Sequence, residues 1–583
     1  MPLKKMIEHL LQLSALNKIY HTARTSSSQP HFFDRTLDAM RITLDFNRDA
    51  LPFIPKTGPL VVVANHASGG VDGIALGSLL MSVRPDVKIV ANDFLGKIPE
   101  FHDSMIFVDP FESASATHSN LSALRKMFSW LESGGVLVIF PAGEVSKMDL
   151  KENRITDPKW KLTLARLVRK SGASVLPIFF HDKTSSLFQM TKLVAPMHPV
   201  LEKLPLSVIP HELLRRRGLP LRFTVGKILT HEKLKPIPTD EELVAYLRAR
   251  TYLLANSAAS RKFCTLKNKE LAEVSMEAIA PELSSSIISD EIKNLPPENM
   301  LCNTTEYQVF IAGSKQIPNC LYEIGRLREF TFRTVGEGSG AALDLDRYDK
   351  DYLHIFAWNK IKLKIVGAYR LGRIDKILEK SGKSGLYTAS LFKYGPQVVE
   401  NLGAALELGR AFVIPEEQGG HTLSLMWQGI GHWISQNPEY SRLIGSVSIS
   451  DEFETISKQL MLQFFKRTKL DSALSKQIQP KVKPRFNALN SGELEEVLKG
   501  ITNFDDLSEV VSQLEQDGKK APELFEHYAK FNAQFLGFNI DRSFRDAIDC
   551  LIMIDLKHAD QRLLRRFIGR DGLLKFQNFH SGK

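Results

Sequence analysis

The chain has 583 residues, of which 43% are hydrophobic and 24% are charged, and its formal net charge at pH 7 is +10. A chain of this length is too long to fold around one hydrophobic core, so two or more domains are expected. The composition is that of a globular protein rather than of a disordered or fibrous chain. The four cysteines are widely spaced, which argues against a disulfide framework or a Cys-x-x-Cys metal site.

The positive charge favours anionic partners, and nucleic acid, a membrane surface and an acidic carrier protein all qualify. Nucleic acid ranks last because the sequence has no zinc-finger or RNA-recognition signature. No stretch reaches the roughly 18 apolar residues of a spanning helix, and the N-terminus lacks the apolar core and cleavage site of a signal peptide. We therefore expect a cytoplasmic protein, or one peripheral to a membrane.

Basic amphipathic segments occur near both ends of the chain. Residues 2–20 place apolar side chains at helical spacing with three lysines among them, and residues 562–570 combine four arginines with apolar residues. A helix of this kind lies in a membrane interface or packs on the core of a domain. The sequence leaves both possibilities open for each segment.

An apolar run at residues 60–64 predicts a short buried strand, and the two glycines that follow permit a tight turn. This turn places His66 and Asp72 together at the carboxyl end of the strand. An imidazole beside a carboxylate can take a proton from a hydroxyl, because the carboxylate fixes the tautomer and stabilises the imidazolium. The sequence therefore predicts His66 and Asp72 as a catalytic pair, with an unrelated loop histidine and aspartate as the alternative.

A second block follows the predicted strand at residues 135–140 and reads Phe-Pro-Ala-Gly-Glu-Val-Ser. With the histidine and aspartate before it, this block resembles the best-known motifs of the glycerolipid (lysophospholipid) acyltransferases. The resemblance implies an O-acyltransferase in which the catalytic pair is joined by a substrate-binding set: Phe140, Pro141, Gly143, Glu144 and Ser146.

Two departures from the family pattern bear on the acceptor. Five residues lie between His66 and Asp72, one more than in the commonest pattern, and the glycine pair resembles the subgroup near the haemolysin-like and ornithine-lipid O-acyltransferases. The arginine that binds an acceptor phosphate in the family, expected shortly after residues 97–99, is absent. This absence argues against a glycerophosphate acceptor.

Predicted strands alternate with helices from residue 60 to about residue 225, which argues for an α/β domain with a mostly parallel sheet. The other strands are expected at residues 87–91, 105–108, 174–180 and 221–225. We assign residues 1–270 to this domain. Residues 271–305 contain a serine run and a Pro-Pro pair and are predicted as a linker.

Residues 306–583 form the second predicted domain. A helix near residues 322–333, an acidic turn, strands near 352–358, 361–371 and 411–415, and a helix after Gly419-Gly420 follow in order. This order resembles the GNAT fold, and in detail the acyl-homoserine-lactone synthases and the ornithine N-acyltransferases related to them. The motifs that carry the resemblance are Asp346-x-Tyr348-Asp349, Val366-Gly367-Ala368-Tyr369-Arg370 and Glu407-x-x-Arg410. The remainder, from about residue 451, is predicted to be a helical C-terminal extension.

The resemblance implies an N-acyltransferase, and the residue types fit that chemistry. An ammonium must lose a proton before it attacks a thioester, and Glu407 is predicted to take this proton. Asp346 and Asp349 are predicted to bind the side chain of a dibasic amino acid, and Arg410 its carboxylate. The alternative is that these acids and arginines pair with one another.

The predicted donor loop at residues 416–421 differs from that of the coenzyme-A-dependent GNAT enzymes, which hold a pyrophosphate at a helix N-terminus. Glu416 and Glu417 stand where phosphate would arrive. Their repulsion disfavours coenzyme A and favours an acyl carrier protein, whose acidic surface also suits the basic chain. No metal and no other cofactor is predicted.

Two α/β acyltransferases in one chain resemble the bifunctional bacterial ornithine lipid synthases. The resemblance implies that the C-terminal domain N-acylates ornithine with a 3-hydroxyacyl group and that the N-terminal domain O-acylates the hydroxyl of this lyso-lipid. It also implies a place on the inner face of the bacterial inner membrane. A glycerophospholipid acyltransferase fused to another N-acyltransferase, and a non-catalytic haemolysin-like membrane-binding protein, remain open as alternatives.

Overall fold

The computed structural model describes residues 13–109, 114–149, 154–195, 204–256, 276–396, 398, 402–486, 489, 491–515 and 517–582. They belong to two compact units, one within residues 1–268 and 490–519 and the other within residues 269–489 and 520–583. Both units are mixed α/β, which confirms the predicted fold class.

The first part of the chain alternates helices and strands. The helices are α1 (Leu13–Thr25), α2 (Phe32–Met40), α3 (Gly70–Met81), α4 (Ala114–Glu132), α5 (Thr163–Ser171), α6 (Ser186–Val194), α7 (Leu204–Arg215), α8 (His231–Leu234) and α9 (Asp240–Leu253). The strands are β1 (Leu44–Asp45), β2 (Leu60–Ala64), β3 (Val87–Asn92), β4 (Met105–Val108), β5 (Val136–Ile139), β6 (Lys147–Asp149), β7 (Arg154–Thr156), β8 (Ser174–Phe180) and β9 (Leu221–Val225).

Seven of these strands form a sheet in the order β1-β9-β8-β2-β5-β3-β4, in which only β8 and β9 are antiparallel neighbours. The central strands are apolar throughout because both faces are covered: Val62 packs in one core cluster and Val61 and Val63 in the other. Since β2 and β5 are parallel neighbours, their carboxyl ends bring the His66 turn and the block after residue 139 to one edge of the sheet.

The second part of the chain adds ten helices and ten strands to the described residues. The helices are α10 (Ser285–Lys293), α11 (Pro318–Thr334), α12 (Ile374–Ser381), α13 (Thr422–Gln436), α14 (Thr455–Lys469), α15 (Ser491–Lys499), α16 (Phe504–Leu514), α17 (Glu523–Lys530), α18 (Gln561–Ile568) and α19 (Arg570–Ser581). The strands are β10 (Met300–Asn303), β11 (Tyr307–Gly313), β12 (Leu353–Asn359), β13 (Lys364–Arg373), β14 (Phe392–Tyr394), β15 (Ala405–Val413), β16 (Arg442–Ile449), β17 (Ile478–Pro480), β18 (Gln534–Asp541) and β19 (Ala547–Asp555).

Eight strands form the sheet of the second unit in the order β10-β11-β12-β13-β15-β16-β19-β18. Its neighbours are antiparallel except β15 and β16, which are parallel. The ladder between these two strands stops at Leu408 and Gly445, while β16 stays paired with β19 as far as Ile449. Beyond Leu408 the strands β15 and β16 therefore separate and leave a gap in the sheet.

The structure differs from the predicted elements in this unit at two places. The strand expected at residues 411–415 begins at Ala405, so Glu407 and Arg410 lie inside β15. The C-terminal region expected to be helical contains the hairpin β18–β19, which completes the sheet. The apolar run of β19 pairs along its whole length with β16, and this long-range pairing outweighs the local pattern.

The two basic amphipathic segments pack, where they are described, on the cores of their own units, and part of the predicted linker forms regular secondary structure. Helix α1 buries Ile19 and Ala23 in the core of the first unit, and residues 2–12 lie outside the described part. Helix α18 buries Leu564, Phe567 and Ile568 within the second unit. Residues 276–305, within the predicted linker, include α10 and β10, and residues 271–275 are not described.

Two helices from late in the chain, α15 and α16, belong to the first unit. Gly500, which follows α15, lies close against the Tyr246 ring of α9, and Lys227 donates a hydrogen bond to the Ser512 hydroxyl at 3.1 Å. Among the helices of the described residues, none combines the length and the apolar character that crossing a membrane requires.

Candidate active sites

The His66 turn lies between β2 and α3 in the first unit. Gly69 has φ +80° at the start of α3, a backbone conformation that favours glycine, and it turns the chain so that Asp72 falls in the first helical turn. His66 Nδ1 lies 3.0 Å from Asp72 Oδ2, and the same oxygen accepts a hydrogen bond from the Ser68 amide at 2.9 Å. Asp72 is fully buried and the His66 side chain is 19% exposed. The structure thus brings the predicted pair together at the surface.

The block at residues 140–146 lies directly beside this pair. The Phe140 ring stacks on the His66 ring with centroids 4.2 Å apart. The Ser146 amide donates to the His66 carbonyl at 2.8 Å, and the Ser146 hydroxyl oxygen lies 3.1 Å from the same carbonyl oxygen. These contacts fix the position of the imidazole on two sides, through its ring and through its backbone.

The other members of the predicted substrate-binding set shape the loop. The Pro141 carbonyl accepts a hydrogen bond from the Lys161 amide at 3.0 Å, and Gly143 has φ +73° with the Lys161 side chain close to it. Glu144 is partly exposed and forms an ion pair with Lys192 at 2.9 Å. Its carboxylate is therefore engaged by a neighbouring helix.

Asp157 is a residue of this site that the sequence analysis did not identify. Its Oδ1 accepts hydrogen bonds from the Ser146 hydroxyl at 2.5 Å and from the His66 amide at 3.2 Å, while its Oδ2 accepts from Trp160 Nε1 at 3.0 Å. Burial raises the pKa of Asp157, and these hydrogen bonds oppose the rise. The one visible signal was an aspartate three residues before a tryptophan, which no motif distinguishes.

The first site can carry out proton transfer from a hydroxyl. When the Asp72 carboxylate accepts a hydrogen bond from the Nδ1–H of His66, the Nε2 nitrogen carries the lone pair and can act as a general base. The carboxylate then stabilises the imidazolium that forms. A hydroxyl deprotonated in this way attacks an acyl thioester.

In the second unit, the predicted acidic residues are paired with arginines. Asp349 accepts hydrogen bonds from both terminal nitrogens of Arg328, at 3.1 and 3.0 Å, and Arg370 donates to Asp346 at 2.6 Å. These charges are buried except that the Asp346 side chain is 24% exposed. Arg328 and Arg370 hold the pKa of Asp349 well below its usual range against the effect of burial. The structure thus has the alternative arrangement, in which these acids pair with arginines, although within the described residues Asp346 Oδ2 has no hydrogen-bond partner.

Glu407 is buried and both of its oxygens are occupied. The Thr388 amide donates to Oε1 at 2.7 Å, the Tyr387 amide donates to Oε2 at 3.1 Å, and the Tyr352 hydroxyl also donates to Oε2. Glu407 therefore anchors the segment around Tyr387. Neither oxygen is open to take a proton from a substrate without losing one of these donors.

Arg410 is a predicted residue of this unit that keeps unused binding capacity, as does Asp346 through its Oδ2. It has φ +50° at an irregularity of β15, and its guanidinium lies 5.0 Å from the Tyr387 ring centroid and 4.3 Å from that of Phe544. Asp344 and Asp346 are 3.7 and 3.6 Å away, and within the described residues the buried Nε has no hydrogen-bond partner. Arg410 can therefore bind a carboxylate.

The predicted donor loop precedes α13. Glu417 forms an ion pair with Lys362 at 2.5 Å and accepts a hydrogen bond from the Tyr307 hydroxyl at 2.9 Å, whereas Glu416 is exposed. Lys362 thus offsets the charge of Glu417, which weakens the repulsion of phosphate expected from the sequence.

Comparisons with known proteins agree with this division of the chain. A family model described as "Acyltransferase" matches residues 25–260, and one described as "Acetyltransferase (GNAT) domain" matches residues 327–428. A glycine N(alpha)-acyltransferase of Bacteroides thetaiotaomicron is 26% identical over 304 residues, which are 49% of this chain and 89% of the relative.

Two further relatives are similar to shorter parts of the chain. A lyso-glycine lipid O-acyltransferase of Phocaeicola vulgatus is 23% identical over 202 residues, which are 34% of this chain and 70% of the relative. An L-ornithine N(alpha)-acyltransferase of Rhizobium meliloti is 32% identical over 109 residues, which are 18% of this chain and 36% of the relative. The chain is therefore an acyltransferase that carries a lipid-acyltransferase-type domain and a GNAT domain.

Proposed function

We propose that the chain makes a two-chain amino-acid lipid by two successive acyl transfers. The second unit forms an amide between a 3-hydroxyacyl group and an α-amino acid, and the first unit esterifies the 3-hydroxyl of the product. The observation that carries this proposal is the His66–Asp72 pair at 3.0 Å in a chain that also matches N-acyltransferases. Fusion suits such a sequence of steps because a tethered second site meets the intermediate at raised effective concentration.

In the esterification, His66 takes the proton of the 3-hydroxyl as its oxygen attacks the carbonyl carbon of the thioester. The C–O bond forms, the C–S bond breaks, and the imidazolium returns its proton to the leaving thiolate. Asp72 stabilises the imidazolium throughout, and Asp157 holds the His66 backbone.

In amide formation, Arg410 is the side chain suited to the carboxylate of the amino acid. Its guanidinium has a buried nitrogen that forms no hydrogen bond within the described residues, and Phe544 and Tyr387 shield it from water. A charge-assisted hydrogen bond in such a place is stronger than one in water.

Glycine and ornithine are the two acceptors to compare. Ornithine is the acceptor that the sequence predicts, and a relative named for ornithine matches over 109 residues. Glycine appears in the name of the relative with the longer match, and the pairing of Asp346 and Asp349 with arginines supports a neutral acceptor. We give glycine the preference because the longer match is to a glycine N-acyltransferase and because Asp349, expected to bind the ornithine side chain, is held by two arginines.

The acyl donor is proposed to be an acyl carrier protein rather than coenzyme A, supported by the net charge of +10. The place of action is proposed to be the inner face of the bacterial inner membrane, where the lipid product is delivered. Both statements extend the sequence predictions.

The full chain, expressed in a host that lacks aminolipids, tests the function by mass spectrometry of the lipid extract. Wild type should yield a two-chain amino-acid lipid, whose mass identifies the amino acid, and His66→Ala should accumulate the single-chain N-acyl product. His21→Ala, at an exposed histidine of α1, is the matched control and should behave as wild type. A two-chain lipid at normal yield from the His66 variant, or no amino-acid lipid from wild type, would overturn the proposal.

A further inference from the structure

A buried carboxylate outside the predicted site lies beside the gap between β15 and β16. Asp549 is on β19, opposite Ser448 of β16, and its Oδ1 accepts a hydrogen bond from the Ser446 hydroxyl at 2.7 Å. The residue is 7% exposed, and within the described residues its Oδ2 has no hydrogen-bond partner. A buried oxygen left without a donor is costly to maintain, so it calls for an explanation.

Asp549 faces the same small group of residues as Arg410. Ser446 is the first residue of β16 beyond the ladder with β15, and Arg410 is just beyond that ladder on the other strand. Arg410 and Asp549 interact electrostatically with each other. Both also affect the pKa of the Tyr387 phenol, which burial raises: Asp549 adds to this rise and Arg410 opposes it. The site for a carboxylate and the unpartnered carboxylate oxygen thus lie around one gap.

The charges around Asp549 suit it to accept a proton. Burial, with a smaller effect of the nearby carboxylates of Asp541 and Glu337, raises its pKa to about 7 against the opposing effects of the Ser446 hydrogen bond and Arg410. Glu337 is itself held in place by a 2.8 Å hydrogen bond from Ser448. A group that titrates near neutral pH combines an ionised fraction with real basicity, which is what a general base needs.

We propose that Asp549 is the general base of amide formation, taking a proton from the amino group of the amino acid bound by Arg410. The proposal rests on the N-acyl transfer proposed above. Strands β15 and β19 lie on either side of β16 in the sheet, and the separation of β15 from β16 beyond Leu408 leaves space between Arg410 and Asp549 for an amino acid.

Deprotonation of the ammonium by Asp549 precedes the attack on the thioester. Asp549 Oδ2 takes one proton from the ammonium, and the amine nitrogen attacks the thioester carbonyl carbon. As the C–N bond forms and the C–S bond breaks, the second proton passes from nitrogen to the leaving thiolate. Asp549 then releases its proton to solvent. Glu407, the base predicted from the sequence, acts instead as a positioning residue for the segment that carries Tyr387.

The test uses the full chain in a His66→Ala background, so that only amide formation is measured. A 3-hydroxyacyl carrier protein is the donor, glycine and ornithine are compared as acceptors, and kcat/KM is followed from pH 5.5 to 9. In the His66→Ala parent, we expect kcat/KM to rise with pH through an apparent pKa near 7, and we refer to this rise as the limb of the pH profile. Asp549→Asn should remove this limb and lower kcat about 10²- to 10⁴-fold. Ser446→Ala removes a hydrogen bond to the carboxylate and should move the limb to higher pH. Glu407→Gln should keep the limb where it is.

Three results would overturn the proposal. The first is an unchanged limb in Asp549→Asn, and the second is a limb that disappears in Glu407→Gln. The third is a raised KM for ornithine with normal glycine kinetics in Asp549→Asn, which would make the residue a side-chain ammonium site. If Asp549→Asn fails to fold by circular dichroism, the shift in Ser446→Ala decides alone. An inactive parent would instead refute the proposed N-acyl transfer, and this base with it.

Discussion

Individual side chains in the first site owe their positions to Asp157. This carboxylate joins the backbone of His66, the hydroxyl of Ser146 and the indole of Trp160, all three of which are donors. A carboxylate accepts at both oxygens, whereas an asparagine must present its amino group to one of these donors. At this position the negative charge is therefore less important than the ability of both side-chain oxygens to accept hydrogen bonds.

We predict that Asp157→Asn lowers O-acylation about 10- to 100-fold, because a buried donor left unsatisfied costs about 1–3 kcal/mol and displaces the loop around His66. The conversion of purified single-chain lipid to two-chain lipid measures this. Asp45→Asn, at an exposed aspartate of β1, provides a control that should retain the parent rate. Equal rates for both variants would show that Asp157 does not position the site.

Glu407 is expected to matter first for stability. Three donors converge on its two oxygens, so Glu407→Gln brings an amino group against at least one of them in a buried place. We predict a loss of about 1–3 kcal/mol in the free energy of unfolding, measured by urea denaturation. An unchanged midpoint and slope would mean that the segment around Tyr387 holds without this anchor.

We expect the titration of Asp549 to contribute to the pH dependence of the free energy of unfolding. Its pKa is raised from 3.8 to about 7 in the folded state, so the folded state holds a proton that the unfolded state has lost between these values. The contribution of this group to stability is therefore complete below about pH 4 and is lost as the pH rises to about 7.

Asp549→Asn cannot titrate at this position, so its melting temperature relative to wild type should rise between pH 4 and pH 7 and then level off. Differential scanning calorimetry of both proteins across this range measures the difference. Carboxylates with a lowered pKa, such as Asp349, contribute to the pH dependence of stability with the opposite sign. Their contribution is the same in both proteins and cancels in the difference. A difference independent of pH would show that Asp549 is ionised throughout.

Among the secondary-structure elements, those of the first unit follow from the sequence most closely. The strands at residues 60–64, 105–108 and 174–180 have the predicted bounds because a parallel strand buried on both faces is apolar without interruption. In the second unit β15 begins six residues before the prediction, since Glu407 and Arg410 interrupt its apolar pattern. The same buried charges that obscure the strand are those that build the site.

Elements fixed by distant partners could not be predicted. Asp549 interrupts an apolar run whose pairing with β16 spans about a hundred residues, so neither the strand nor the position of its acid follows from local pattern. The return of α15 and α16 to the first unit is equally hidden, because amphipathic helices do not show which core they cover. At the first site, the pair of His66 and Asp72 was predictable because one turn joins them.

The gap between β15 and β16 opens just beyond a glycine, Gly445, at whose position the two backbones approach closely. A Cβ on Gly445 would overlap the carbonyl oxygen of its partner Leu408, whereas Gly409, the next residue of β15, has open space around it. We predict that Gly445→Ala destabilises the protein by about 1–3 kcal/mol, because overpacking forces the strands apart. Gly409→Ala should lie within about 1 kcal/mol of wild type. Urea denaturation of the two variants makes the comparison, and equal midpoints would contradict this account of the gap.

For the molecule as a whole, the positive charge bears on the acyl carrier protein proposed as the donor of amide formation. The chain carries 76 lysines and arginines against 66 aspartates and glutamates. An acidic carrier protein meeting such a surface is steered electrostatically, so its association is faster at low ionic strength. A coenzyme A thioester is small, so long-range steering by the net charge should affect its association less.

We predict that the rate of N-acyl transfer with subsaturating acyl carrier protein falls several-fold between 50 and 300 mM salt, because shorter Debye lengths screen the encounter. The rate with the matching coenzyme A thioester should be lower at every salt concentration and should change less. Lys362→Gln leaves Glu417 without its ion pair and should lower kcat/KM for coenzyme A further, with little effect on the carrier protein. Lys376→Gln, at an exposed lysine of α12 paired with Glu379, is the matched control. Parallel salt dependence for both donors, or equal responses to the two lysine variants, would show that the donor is recognised through its acyl chain and pantetheine rather than through charge.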